Sequence, residues 1–460
     1  MRRIKTLLFI LLTSSLFCIT AFAQSLTEIP ASDNDLLTYG EISALKTQFP
    51  SQFSLKEKGL TSPIKDQKDV GGCFSMAWTT AIENRLLDRG IDMGISAWAF
   101  YDTYTKEADG GYDRIVDVAK AASGQAAIIP NSDAPFPAQL SEGTDCRQYT
   151  GRQDVVVHDV YYLDGILQNP QVDSEKLIKY YLSEGYAIIA SIYVEEDFDT
   201  VEFENDENGA IYIPNADEGV YHVVCIIGWD DNYSKDNFIT KPSHNGAWLI
   251  QNSWGVEFGE NGYFWLSYDQ PGNAGLVALD IAGGAEYKQR YQYDRRGWNY
   301  WGGDDDTTAA LHKGGDTFVD LVNCYTTDKA GEITAVGTYA VKDNIDYEVY
   351  CHSENDKDGE WTLLGKGRMK NAGYHILDLD SSLKIPAKTK YWISIELSSK
   401  EPAYMIPLDD NNHNEVRSAP YYDVSFASDG TNSYDTVRDG LINMKGYNVK
   451  GNICLKVYMK

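Results

Sequence analysis

Basic residues are scarce in this chain. Its 460 residues hold 40 Lys and Arg against 68 Asp and Glu, a formal net charge of −28. A polyanion is held by clustered cations that release its counterions, and no basic stripe is present, so no nucleic-acid partner is expected. The same deficit argues against anionic membrane surfaces. Long apolar runs are missing as well. After the N-terminal stretch no segment approaches about 18 consecutive apolar residues, so no integral membrane segment is expected. Seven cysteines lie far apart, unlike the dense spacing of a disulfide scaffold. No repeat with a period of about 20 to 50 residues is visible, which disfavours a solenoid or propeller. What remains is ample for packed cores: 43% hydrophobic and 12% aromatic residues separate the chain from disordered compositions.

The N-terminus reads as an address. Arg2, Arg3 and Lys5 precede an apolar run from Leu7 to Thr20, and Ala21-Phe22-Ala23 forms a small-x-small cleavage site. Residues 1–23 are therefore expected to be a signal peptide. The product is expected to be secreted or extracellular, with periplasmic or cell-surface retention left open. The leader takes three positive charges with it, moving the net charge from −28 to −31. It also takes Cys18, leaving Cys73, Cys146, Cys225, Cys324, Cys351 and Cys454. Three bridges are permitted by that count, but if one thiol is a nucleophile at least one other stays unpaired or pairs between molecules.

Residues 24–48 are polar and acidic and read as a short pro-segment or linker. From 49 to 285 helical and strand patterns mix. A helix is expected after Cys73, where Met76, Ala77, Thr80, Ala81, Asn84 and Leu87 recur at three- and four-residue spacing before Gly90. Another is expected over Ser174 to Ser183, and strands over Tyr186–Val194, His222–Trp229, Ala247–Asn252 and Tyr263–Tyr268. From 286 to 460 short β-rich runs such as Ile333–Val341, Tyr391–Leu397 and Ile453–Tyr458 alternate with polar turns, which predicts an all-β sandwich.

The segment Gln67 to Ser75 carries the strongest chemical signal. A thiol at a helix start sits in the positive field of unpaired backbone N–H groups, which favours the nucleophilic thiolate. Gln67 and the Cys73 N–H can both point at a developing oxyanion. A Cys nucleophile needs a base, and the base an orienter. His222 heads an apolar strand, and Asn252, in Gln251-Asn252-Ser253-Trp254-Gly255, supplies an amide for its ring with Trp254 as cover.

These blocks, with Gly259-Glu260-Asn261-Gly262-Tyr263, resemble the signature segments of papain-like cysteine peptidases in the order Gln, Cys, His, Asn. The resemblance implies an α+β fold: a two-lobed catalytic domain, one lobe helical and one β-barrel-like, followed here by the all-β sandwich domain. It implies Cys73 as nucleophile, His222 as base and acid, Asn252 as orienter and Gln67 as oxyanion donor. It also implies Gly110 and Gly111 as a substrate-binding strand, with Trp254 beside the substrate. Protein or peptide substrates are the expected partners, with no cofactor and no metal. Acidic loops at Asp230 to Asn245 and Asp304 to Asp306 lack the spacing of a calcium loop and read as solvated.

The departures are informative. Val70 and Ala108 stand where the family places a disulfide, so both ends of that bridge are absent together. Phe258 and Phe74 replace other family aromatics, so substrate preference does not transfer. Residues 24–48 are too short for the usual inhibitory propeptide; the expectation is that they lie in or across the cleft. Residues 286–460 resemble the lectin-like sandwich of some bacterial exported members. Its Trp298, Trp301, Trp361 and Trp392 are either core and interdomain residues or a surface for a glycan or cell-surface ligand. Two competing readings remain: an adhesin or glycan-binding protein on an inactive peptidase-like scaffold, and a cysteine transferase or deamidase.

Overall fold

The computed structural model describes residues 29–31, 36–46, 48–107, 126–163, 173–194, 204–205, 207–214, 220–271, 274–284, 287–293, 300–301, 317–340, 342–355, 361–400, 407–410, 425–428, 442–443 and 451–460. Four α-helices matter for the site. Helix α1 spans Tyr39–Ala44, α2 Cys73–Asp88, α3 Ala97–Glu107 and α4 Ser174–Ser183. The expected helices after Cys73 and over Ser174 to Ser183 both form. Every residue of α2 from Phe74 to Leu86 is buried, so this helix runs through the middle of the domain rather than along its surface. Several of its polar groups find partners. Asn84 Oδ1 accepts from Ser62 N at 2.9 Å, Glu83 Oε1 accepts from Ile95 N at 2.7 Å and its carboxylate meets Lys65, and Arg85 reaches buried Asp280 at 3.2 Å.

Against α2 lies an antiparallel sheet. Its strands are β1 (Val155–Tyr162), β2 (Ile188–Val194), β3 (Val220–Asp230), β4 (Ala247–Gln251), β5 (Tyr263–Ser267) and β6 (Ala274–Gly283). In space they run β1-β6-β2-β3-β4-β5. The four strands expected in this region are all present.

The C-terminal part is a sandwich. One sheet holds β8 (Thr317–Thr326), β10 (Ile345–Ser353), β11 (Thr362–Met369) and β13 (Lys390–Ser399) in the order β11-β10-β13-β8, continued by two short strands. The other holds β7 (Gln289–Tyr291), β9 (Gly331–Ala340), β12 (Gly373–Ile385) and β14 (Lys456–Met459) in the order β7-β14-β9-β12. Leu321, Val349, Ile393 and Ile395 from the first meet Val336, Leu377, Val457 and Met459 from the second in a dry core. The run Ile453–Tyr458, read from sequence as one strand, is divided: Gly451–Ile453 pairs with Pro407–Asp410, and β14 joins the other sheet after a turn at Cys454 and Leu455.

An α+β first domain and a β-rich C-terminal domain are thus as expected, and strand pairing joins the two. Strand β12 pairs antiparallel with β1, placing Gly373 opposite Tyr161, Tyr374 opposite Val160 and His375 opposite Asp159. A single sheet, 13-stranded among the described residues, therefore runs through both domains. Gly373 is required for it: its φ is +144°, and a Cβ there would lie 1.9 Å from Val160 O. At this seam Asp159 accepts from two imidazoles, His158 Nδ1 at 2.6 Å on its own strand and His375 Nδ1 at 2.6 Å from β12.

The expectation that residues 24–48 cross the cleft is not met by the described part of that segment. Ile29 O accepts from Gly283 N at 3.0 Å, and Pro30 O accepts from Arg89 Nη1 at 2.7 Å, just past the C-terminal end of α2. Cys73 is at the other end of that helix, 16 residues or about 24 Å away. Beyond Pro30 the segment wedges between the domains. Tyr39, 2% exposed, donates its hydroxyl to Tyr162 O at 2.5 Å and its N–H to Asp343 Oδ2 at 2.8 Å; Leu37 O accepts from Asn371 Nδ2 at 2.8 Å. From α4, Tyr180 OH accepts from Leu37 N at 2.9 Å. Lys176 holds Ser43 O and Leu45 O, each at 2.8 Å. Buried Tyr39 and Ile42, three residues apart on α1, make the apolar side that the clasp requires.

Candidate active site

The N-terminus of α2 is uncapped by any side chain. Gly72 is its N-cap residue, and the bond from Ser75 Oγ to Gly72 O at 2.9 Å occupies a carbonyl rather than an N–H. The positive end of the helix is therefore left to act on what stands there, which is Cys73. None of the six described cysteines is in a disulfide, and five of the six are buried; only Cys73 is partly exposed. Burial pushes the Cys225 thiol up to about 12 and that of Cys324 up to about 11, which keeps both protonated. Cys146 is also sealed in, its Sγ lying 3.3 Å from Thr144 O. By exposure and by field Cys73 alone among these thiols is suited to nucleophilic chemistry.

His222 sits near the start of β3 and is 1% exposed. Its Nε2 lies 2.8 Å from Asn252 Oδ1. The amide oxygen only accepts, so Nε2 carries the proton and Nδ1 is the basic nitrogen of the neutral ring. The Trp254 ring stacks on the imidazole at 4.5 Å and 24°, and Phe258 meets Trp254 edge-on at 4.7 Å and 89°. Trp254 thus roofs the His222–Asn252 pair, and Phe258 braces the roof. Phe74 takes no part in it: 5% exposed, it packs 4.6 Å from Tyr104 and 6.3 Å from Phe100 on α3. Desolvation in this pocket pushes the His222 imidazole down to about 4, partly countered by the Asn252 bond.

Gln67 joins the same network. Its Oε1 accepts from Ser253 Oγ at 2.7 Å and its Nε2 donates to Val70 O at 2.9 Å, leaving the second amide N–H uncommitted to that bond. Ser253 N in turn donates to Asn252 Oδ1 at 2.8 Å. Contacts therefore run from His222 through Asn252, Ser253 and Gln67 to the Val70–Gly72 turn that leads into Cys73. Of the four residues singled out for chemistry, His222, Asn252 and Gln67 are joined by these contacts, with Trp254 over the first two, and the contacts end at the turn that precedes Cys73. Gly110, Gly111 and Ala108 lie outside the described residues. Sequence reasoning passed over Ser253, although a small hydroxyl fixed between Asn252 and Trp254 in a buried strand end was the available signal. A partly exposed thiol at an uncapped helix start, an imidazole of fixed tautomer and an oriented amide are groups that acyl transfer can use.

Comparison with known proteins agrees with this geometry. The model of the papain family cysteine proteases matches residues 49–282, and that of the lectin like domain residues 291–459. Among curated relatives, procathepsin L of Felis catus is 26% identical over 236 residues, 50% of this chain and 65% of its own length. Cathepsin L of Sarcophaga peregrina is 24% identical over 232 residues, 50% of this chain and 62% of its own length. The alignments thus span just under two thirds of these relatives. Among solved structures, the cysteine protease and lectin-like domains of Cwp84, a surface layer associated protein of Clostridium difficile, superpose with a TM-score of 0.67. The match is 21% identical, covers 90% of this chain and 89% of that one, and speaks to the fold. With half of its length matched by the family model, the chain belongs to the papain family of cysteine proteases and carries a lectin-like domain after the catalytic one.

Proposed function

We propose that the protein is an exported cysteine endopeptidase that cleaves peptide bonds with Cys73, His222, Asn252 and Gln67. The observation that carries the reading is the His222 Nε2 bond to Asn252 Oδ1 under Trp254, which leaves Nδ1 as the basic nitrogen. In the proposed cycle the Cys73 proton passes to His222 Nδ1, and the thiolate attacks the scissile carbonyl. The Cys73 N–H and the second Gln67 amide N–H stabilise the oxyanion. As it collapses, His222 protonates the leaving amine and a thioester remains. Water, deprotonated by His222, then attacks the thioester; the acid product leaves and Cys73 is regenerated. Because desolvation, only partly countered by Asn252, holds His222 near 4, an imidazolium here depends on the proposed adjacent thiolate, and the two would titrate as a pair. Gly110 and Gly111 are proposed to bind the substrate backbone, and Trp254 to support His222 and border the departing side of the cleft. Turnover of casein or a short peptide amide under reducing conditions tests the assignment. Cys73→Ala should abolish turnover; activity retained in that variant would remove Cys73 from the mechanism.

Export is proposed on residues 1–23, which lie outside the described residues; Gln24 as the N-terminus of the released product is the test. We place the domain boundary near residue 285. For the lectin-like domain a specific observation favours a sugar-facing role. Trp361 and Trp392 flank His352, with ring centroids at 5.7 and 5.4 Å, and none of the three belongs to the dry core of the sandwich. Such a half-buried aromatic row suits stacking on a sugar face. A glycan array with the full chain should show binding that Trp392→Ala loses; no binding to any glycan would favour a purely structural domain.

A further inference from the structure

The loop bearing Gln67 is held from two sides. On one side the Asn252–Trp254 segment grips it: Gln67 N donates to Ser253 O at 2.8 Å, Ser253 Oγ donates to Gln67 Oε1 at 2.7 Å, and Asp66 is bridged to Trp254. On the other side stands Lys68. Its Nζ donates to two main-chain carbonyls, Pro137 O and Ala138 O, each at 3.2 Å. Those carbonyls belong to a well-anchored loop. Ala134 is buried and bonded to Ser96 Oγ, Phe136 sits edge-on to Trp98 at 5.7 Å and 87°, and Asp133 pairs with Arg152 at 2.9 Å.

The backbone at Lys68 is where this clamp is felt. Its φ is +52°, in the left-handed region that glycine enters freely and a lysine does not. Among the described residues three other non-glycine residues share that region, and two of them are Asn, the type that tolerates it best. The Lys68 N–H is turned onto Asp66 Oδ1 at 2.8 Å, and Val70 N closes back onto Gln67 O at 3.3 Å. A strained residue persists where its surroundings over-determine it, and here the strain falls one residue after the amide that must point at the reacting carbonyl. No disulfide braces the loop.

We propose that Lys68 is a positioning residue for the peptidase reaction. By tying the Gln67 loop to the 137–138 carbonyls, it holds the Gln67 amide where the oxyanion forms. The inference rests on the reading of Gln67 as an oxyanion donor, and it assigns Lys68 no contact with substrate.

The test compares Lys68→Met, which keeps the stem but loses the donors, with Lys68→Arg, Gln67→Ala and the double variant Gln67→Ala/Lys68→Met, all in the full chain. Peptide-amide kcat and KM are measured beside the rate of Cys73 alkylation by iodoacetamide, which needs a thiolate but no oxyanion hole. Removing an oxyanion donor outright costs about 10²- to 10³-fold in kcat, so displacing one should cost about tenfold. Lys68→Met should therefore lower kcat about tenfold with KM and alkylation within about twofold, and Lys68→Arg should restore most of it. In the Gln67→Ala background Lys68→Met should add less than about twofold, because the two substitutions remove one function. Wild-type kcat in Lys68→Met, a full additional loss in the double variant, or alkylation falling in step with kcat would each overturn the role of Lys68 while leaving Gln67 intact. Wild-type kcat in Gln67→Ala would overturn the oxyanion reading itself, and this inference with it.

Discussion

His375 Nδ1 lies 2.6 Å from Asp159 Oδ1, bringing together residues 216 positions apart at the line where the lectin-like strand β12 joins the peptidase strand β1. The ring's other nitrogen lies 2.8 Å from Asn371 O. His158 completes the group from the opposite carboxylate oxygen, with Asp378 and Asp280 contributing to the field around it.

This seam should make stability depend on pH at both ends. Burial alone would raise the Asp159 carboxyl, but His158 and His375 hold it well below the usual carboxylate range. That stabilisation is present above the unfolded value of about 3.9 and fades as pH falls through the depressed folded value. Burial alone would likewise lower His158, but Asp159 raises it overall. Its stabilisation is full below the unfolded value of about 6.5 and is lost as pH rises through the raised folded value. Melting temperatures of the full chain should therefore be highest between about pH 4 and 6.5. Asp159→Asn should lower and flatten that curve; an unchanged profile would show the seam to be electrostatically inert.

Cys73→Ala offers a second titration. Without the thiolate, His222 becomes an isolated buried imidazole pushed down to about 4 by desolvation. In NMR spectra of that variant its ring should stay neutral at pH 6, whereas in the wild type the proposed ion pair with Cys73 should hold an imidazolium there. A midpoint near the ordinary 6.5 in the variant would show that the pocket is wetter than its 1% exposure implies.

Ser253→Ala removes the hydroxyl that fixes Gln67 Oε1 at 2.7 Å. The amide then loses its orientation but not its presence, so kcat should fall about tenfold, less than the 10²- to 10³-fold of losing a donor outright. Steady-state kinetics should place the loss in kcat, with KM nearly constant. A change confined to KM would move Ser253 from the oxyanion side to substrate binding.

The clasp made by the N-terminal segment predicts a stability effect without latency. Tyr39→Phe loses buried hydrogen bonds and should cost about 1 kcal/mol, whereas Tyr39→Ala opens a cavity and should cost about 3 to 5 kcal/mol. A chain starting at Phe49 should unfold at lower denaturant than one starting at Gln24, with equal initial rates on peptide amides. Faster initial turnover in the shorter chain would restore an inhibitory role to the segment.

Much of the active site is legible in the sequence because its chemistry requires particular residue types. Cys73 opens a helix whose periodicity is visible, and His222 and Asn252 sit at strand ends flagged by Val, Ile and Trp. Ser253 is silent beside them, since a serine has the same appearance whether it orients an amide or fills a turn. The lectin-like strands are readable one by one, but their sheet partners are not. Nothing near Asp159 indicates that its neighbour will be His375, because pairing is settled by packing across the whole molecule. Tyr39 and Ile42 carry the three-residue spacing of a buried helix side, which shows that the segment docks somewhere. It does not show where, and the described part of the segment docks at the seam between the domains rather than in the cleft.

The clasp also sets an order of assembly. Leu37 and Tyr39 take partners at Asn371, Ala372 and Asp343, more than 300 residues further along the chain. A polypeptide made from its N-terminus keeps these early residues waiting until most of it exists, and contacts this distant close slowly. Over the same interval β1 presents an open edge to its surroundings until β12 arrives to cover it. A chain interrupted before residue 373 would therefore carry the residues of the peptidase site together with an unpaired β edge, a combination that favours aggregation or degradation over stray proteolysis.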